Sequence, residues 1–178
     1  MVLTSVELLD ELLQYHASAL GNDLPAYRNH TYRVINFCSA LVGDDPVSLE
    51  KMAIAVAFHD LGIWTDKTFD YLPPSERLAE AYLARKDRVE WVPEIKAMIR
   101  EHHKITPYRS NPSWLVEAFR KSDLVDVSLG IITFGLPRKF VREVLSRFPN
   151  AGFHKRLIQL SFSRLLSHPL SPLPMYRL

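Results

Sequence analysis

The sequence predicts an all-α fold: a single-domain helical bundle with a core over about 25–130, C-terminal helices over 137–168 and a proline-rich tail over 169–178. Apolar residues recur at three- and four-residue spacing along almost the whole chain, as in helices that bury one face. No stretch shows the strict alternation of a half-buried strand, and neither repeats nor low-complexity tracts interrupt the pattern. Breaks between the periodic stretches fall at Gly21, at Asp44-Asp45-Pro46 and around Pro73-Pro74, residues that begin or end helices.

Taken in order, residues 5–20 place Val6, Leu9, Leu13 and Leu20 near one face, with Thr4 or Ser5 as N-cap and Gly21 as the stop. A second helix starts after Pro25 and ends near Gly43, facing Tyr27, Val34, Phe37, Cys38 and Leu41 inward. The third, about 47–60, has almost nothing polar between Lys51 and His59, so it belongs at the centre of the fold. Residues 62–74 have no period and mix Trp64, Phe69 and Tyr71 with Thr65, Asp66, Lys67, Thr68 and Asp70; they predict a structured loop. Ser75 caps a helix through Arg85, and Pro93 opens one ending near Lys104. Further helices run over 113–129, after Pro137 and over 151–168, and the tail lies extended over the body.

Composition narrows the function. At 178 residues the chain is long enough to bury a substantial core. With 22 basic and 20 acidic residues the formal charge is +2, which is no nucleic-acid footprint. The single cysteine, Cys38, excludes an internal disulfide and sits in a largely apolar stretch as a core residue. Glu7, Asp10 and Glu11 among the first leucines do not suit a secretory signal, and no apolar run reaches the roughly 18 residues of a membrane span. The expected setting is the cytoplasm, with no membrane partner. Gly-rich phosphate loops, Gly-x-Ser-x-Gly and Cys-x-x-Cys are all missing from the sequence.

Chemistry concentrates at residues 58–62, Phe-His-Asp-Leu-Gly. His59 and Asp60 supply an imidazole nitrogen and a carboxylate oxygen, a mixture that holds divalent cations. The pair closes the apolar run from Met52 to Phe58, and a carboxylate at the inner end of a buried helix needs a compensating partner. Neighbouring helical residues point about 100° apart, so both reach one ion only at a helix end or distortion, which Gly62 permits. Further candidates are His30, in Tyr27-Arg-Asn-His-Thr-Tyr-Arg33, and Asp123, in Lys121-Ser-Asp-Leu-Val-Asp126, with Asp126 the fallback for the last ligand. Arg33 lies one turn beyond His30 and suits either a phosphate grip or a surface salt bridge. His16, His154 and His168 fall outside the pattern and are expected to be structural.

This order of His30, then His59-Asp60, then Asp123, each on an expected helix, resembles the HD-domain superfamily of metal-dependent phosphohydrolases. The resemblance runs from about Arg28 to Asp126. It implies one divalent ion held by His30, His59, Asp60 and Asp123, with Mn, Fe, Co, Ni or Zn favoured over Mg by histidine ligands. Such an ion lowers the pKa of its water from about 15.7 toward 7 and polarises a phosphoryl oxygen. Asp60 would orient or deprotonate the water, making it the catalytic carboxylate, while Arg33 and Lys67 would steady the substrate anion.

The chain departs from the family in two places. Two-metal subfamilies carry a histidine where Pro74 stands, which argues for one ion and leaves His102 and His103 to line the substrate pocket as phosphate donor or general acid. Many members have a lysine after the glycine, near the substrate phosphate; here it is Ile63, so Lys67, Lys104 or Arg109 would have to substitute. The implied activity is hydrolysis of a nucleotide or another small phosphorylated metabolite. The alternative is a non-catalytic, metal-containing module for ligand binding or regulation. A homo-oligomer is compatible with the sequence, since the aromatic loop over 64–71 suits a dimer as readily as a substrate.

Overall fold

Local chemistry sets several of the helix ends. The computed structural model describes residues 1–167; the expected extended tail and His168 lie outside the described residues. Among those described, the regular elements are all helical: α1 Glu7–Tyr15, α2 Ala17–Leu20, α3 Leu24–Val42, α4 Pro46–Phe58, α5 Gly62–Thr65, α6 Leu72–Arg85, α7 Val92–Glu101, α8 Val116–Val127, α9 Arg138–Arg147 and α10 Phe153–Ser167. Asp45 caps α4 by accepting from the Ser48 N–H at 3.1 Å, and Pro46 follows in the first turn, where its missing N–H costs nothing.

Three boundaries differ from the expectation. The first helix is split at His16 (φ −96°, ψ 9°), whose ring packs edge-on against Phe58 with centroids 5.7 Å apart. Neither Thr4 nor Ser5 caps it; Val6 precedes the first turn, and its N–H donates to Tyr32 Oη at 3.0 Å. The expected loop over 62–74 contains α5, and α6 starts at Leu72, so Pro73 and Pro74 occupy its first turn and Ser75 lies inside it. Ser75 Oγ instead accepts the Gly62 N–H at 3.0 Å, fastening α5 to α6.

The core forms where α4 is enclosed. Every residue from Met52 to Phe58 is buried, as its apolar sequence requires. Helix α1 covers α4 with Leu9, Leu12 and Leu13, and α3 packs most extensively against α8. Helices α6 and α7 pair and close the remaining side of α4. This arrangement brings the middle of α3, the end of α4, the end of α7 and the middle of α8 to one point. No helix among the described residues is long and apolar enough to cross a membrane.

Candidate metal centre

At that point the structure gathers His30 from α3, His59 and Asp60 from the turn after α4, His102 and His103 after α7, and Asp123 and Asp126 from α8. The distortion expected after Phe58 is present. The ladder tightens to three-residue bonds, with the Leu61 N–H on Phe58 O at 3.1 Å and the Ile63 N–H on Asp60 O at 3.0 Å. Adjacent side chains therefore converge, and His59 Nε2 lies 3.3 Å from Asp60 Oδ2. His30 Nε2 stands 3.7 Å from Asp60 Oδ2 and 3.7 Å from Asp123 Oδ1.

Three imidazoles are locked in the same sense. His59 Nδ1 donates to Val56 O at 2.8 Å, His102 Nδ1 to Ile99 O at 2.6 Å, and His30 Nδ1 to the Asp126 carboxylate at 2.6 Å. Each ring is then left with a bare Nε2 directed inward. His30 Nε2 and His59 Nε2 face each other at 2.9 Å, lone pair against lone pair. His102 Nε2 and Asp60 Oδ1 are 3.4 Å apart, and both are buried atoms without a hydrogen-bond partner. A proton shared between the facing imidazoles is disfavoured, because burial pushes His30 down to about 4 in spite of the Asp126 carboxylate. A cation between these atoms would satisfy them together.

The charges lead to the same requirement. Asp60, Asp123 and Asp126 are all buried, and among the described residues Arg33 is the one guanidinium paired with them. Burial, with Asp60 and Asp126 nearby, pushes Asp123 up to about 8. Burial also acts to raise Asp60, and it is only protonated His59 and His102 rings, a positive charge that an ion would replace, that hold its carboxylate well below the usual range. Among the described residues, two donor groups meet the spacing of a metal site: His30, His59 and Asp60, and Asp60, His102 and His103, with Asp60 common to both. Asp123 touches each group, through His30 and through His103 Nδ1 at 3.7 Å. The donor set of imidazole nitrogens and carboxylates suits a borderline divalent ion.

All four residues expected as ligands are brought together. The single-ion expectation rested on Pro74, and the trio of Asp60, His102 and His103 forms without any histidine there. Arg33, expected to grip a phosphate or to form a surface salt bridge, has its guanidinium committed inside the fold. It is buried, its Nε and Nη2 donate to Asp126 (Nη2 at 2.9 Å), and its Nη1 donates to Phe148 O at 3.0 Å. Asp126 is correspondingly an acceptor that orients His30, rather than a ligand in either trio. Lys67 lies away from the chelate, on the wall of a separate cavity.

Other neighbours carried little signal in the sequence. Phe153, at the start of α10, stacks on His30 with centroids 4.0 Å apart. Tyr71, an aromatic of the irregular segment, bonds His103 Nε2 through its hydroxyl. Tyr27 stacks near His59 at 6.0 Å and donates to Ala57 O at 3.1 Å. Comparison with known protein families, with curated proteins and with solved structures finds no match to this chain.

Proposed function

We propose that the chain is a metal-dependent phosphohydrolase of the HD type, acting on a nucleotide or another small phosphorylated metabolite. The observation that supports it is the convergence of three histidine Nε2 atoms, each with Nδ1 already donated, on the buried carboxylates of Asp60 and Asp123. His30, His59, Asp60 and Asp123 would hold one ion, and Asp60, His102 and His103 offer a second position. A bound divalent ion supplies acidified water and a Lewis acid for the phosphoryl oxygen.

The chain's own residues do the rest. Asp60 is central to both donor groups and orients the attacking water. His103, with 16% of its side chain exposed, is the most open member of the cluster, so the substrate approaches there. The proton between Tyr71 Oη and His103 Nε2 is available to a departing oxygen. Lys104, which follows His103 and pairs with Glu101 at 3.1 Å, would supply positive charge for a phosphate, the role that Ile63 cannot fill.

Asp60→Ala should abolish both metal content, read by elemental analysis, and turnover in a phosphoester screen run across Mn, Fe, Co, Ni, Zn and Mg. Full turnover by this variant in a metallated assay would falsify the assignment. A second reading, a metal-containing module that binds a ligand without turnover, is favoured by Ile63 and by burial that leaves Asp60 3% and Asp123 2% exposed. Stoichiometric metal with no hydrolysis of any phosphoester would select it.

A further inference from the structure

A cavity of about 670 Å³ opens between α2, α5 with the segment after it, and α10, and none of the four expected ligands lines it. That volume falls within the range of small-molecule sites, roughly 300–1,000 Å³. Its wall combines three cations, Lys67, Arg156 and Arg164, with the aromatic side chains Trp64 and Phe69. Arg156 and Arg164 are eight residues apart on α10, with Leu160 between them, so they share one face of the helix.

The carboxylate of the lining, Asp23, is already engaged. It accepts the Trp64 indole N–H at 2.9 Å, holding the ring in place, and ion-pairs with Arg156, whose Nε lies 3.0 Å away without hydrogen-bond geometry. Trp64 is backed on its other side by Tyr27, with centroids 4.8 Å apart. A wall fixed in this way loses little freedom when a ligand arrives. Lys67 is exposed, pairs with no carboxylate among the described residues, and takes φ +52°, a conformation uncommon for a residue with a side chain. Among the described residues, a lysine and two arginines lining one cavity beside an indole suit an anion attached to a ring.

We propose that this cavity is a binding site for an organic phosphate, with the phosphate on Lys67 and the α10 arginines and a planar ring against Trp64 and Phe69. The site is distinct from the chelate and does not rest on the hydrolase reading. The test uses the full chain, stripped of metal in excess chelator, titrated calorimetrically and by tryptophan fluorescence. The probes are ADP, adenosine as the ring alone, and inorganic pyrophosphate as the charge alone. ADP should saturate one site, with adenosine and pyrophosphate at least tenfold weaker.

Lys67→Glu and, separately, Arg164→Gln should each weaken ADP binding, the charge reversal by tenfold or more, while Asp60→Ala leaves it unchanged. The idea is overturned if ADP gives no saturable signal, if pyrophosphate or adenosine binds as tightly, or if neither cation variant weakens binding. Loss of ADP binding in Asp60→Ala would place the ligand on the chelate and overturn it too. Because no metal is present, failure of the hydrolase assignment would leave these outcomes unaffected.

Discussion

Asp123 and Asp126 stand one turn apart on α8, equally removed from water, yet their surroundings drive them in opposite directions. Burial acts to raise both. At Asp126 the hydrogen bonds from His30 and Arg33 prevail and hold it at about 2, whereas Asp123 is pushed up to about 8 beside two other carboxylates. Asp126→Asn would leave Arg33 as a buried charge without its partner and should cost about 3–5 kcal/mol. It would also release the His30 ring, and metal affinity should fall by roughly 10–100-fold. Asp123→Asn should act in the other sense: the metal-free protein keeps or gains stability at pH 8, while metal binding is lost. Urea denaturation of both variants without metal decides this, and a large destabilisation by Asp123→Asn would contradict it. Sequence spacing left these two aspartates as alternatives for one ligand. What separates them is which α3 side chain each one meets, and helical periodicity within α8 carries no record of that.

Legibility at the scale of elements follows how local the cause is. The second and third helices were readable because proline, the capping Asp45 and a run of apolar residues act within a few positions of one another. The pairing of His59 with Asp60 was readable too, since Gly62 marks the distortion that lets them converge. The start of α6 was not, because Ser75 is drawn inward by a bond to α5 rather than to its own first turn. Arg33, open in the sequence between a phosphate grip and a surface salt bridge, is buried for a related reason, since its partners lie on α8 and in the Phe148–Pro149 turn, far away in sequence. Gly62 is where these constraints meet. A Cβ there would lie 2.6 Å from Tyr71 O, 2.9 Å from Pro74 Cγ and 3.0 Å from Ser75 Oγ, the first of them backbone that cannot swing aside. Gly62→Ala should therefore force α5 away from α6 and cost about 1–3 kcal/mol. The same displacement would shift the His59-Asp60 turn and weaken metal binding. An unchanged denaturation midpoint with unchanged metal affinity would show that this contact is slack.

For the molecule as a whole, the buried cluster sets how stability responds to pH, and the sign can be worked out group by group. Asp126 is depressed to about 2, so its contribution is present above the unfolded carboxylate value and is lost as the pH falls toward 2. His30 is depressed to about 4; between there and its unfolded value of about 6.5 the unfolded chain binds a proton that the fold refuses. Stability therefore rises with pH across that window. Asp123, raised to about 8, holds a proton in the fold that the unfolded chain has released above about 3.9, so its contribution falls as pH increases. The His30 and Asp123 effects oppose each other up to about 6.5, above which Asp123 acts without that opposition. Metal-free protein should lose up to about 2 kcal/mol between pH 6.5 and pH 8, as 1.5 pH units at about 1.36 kcal/mol each require. With an ion bound, Asp123 is a carboxylate throughout and the decline should vanish. Saturation at about 100 times the dissociation constant should add a further 2.7 kcal/mol or so. Denaturation curves at the two pH values, with and without Mn or Zn, test this directly. A metal-free protein that grows more stable from pH 6.5 to 8, or a slope that survives in Asp123→Asn, would mean that the strain in the fold does not come from this carboxylate.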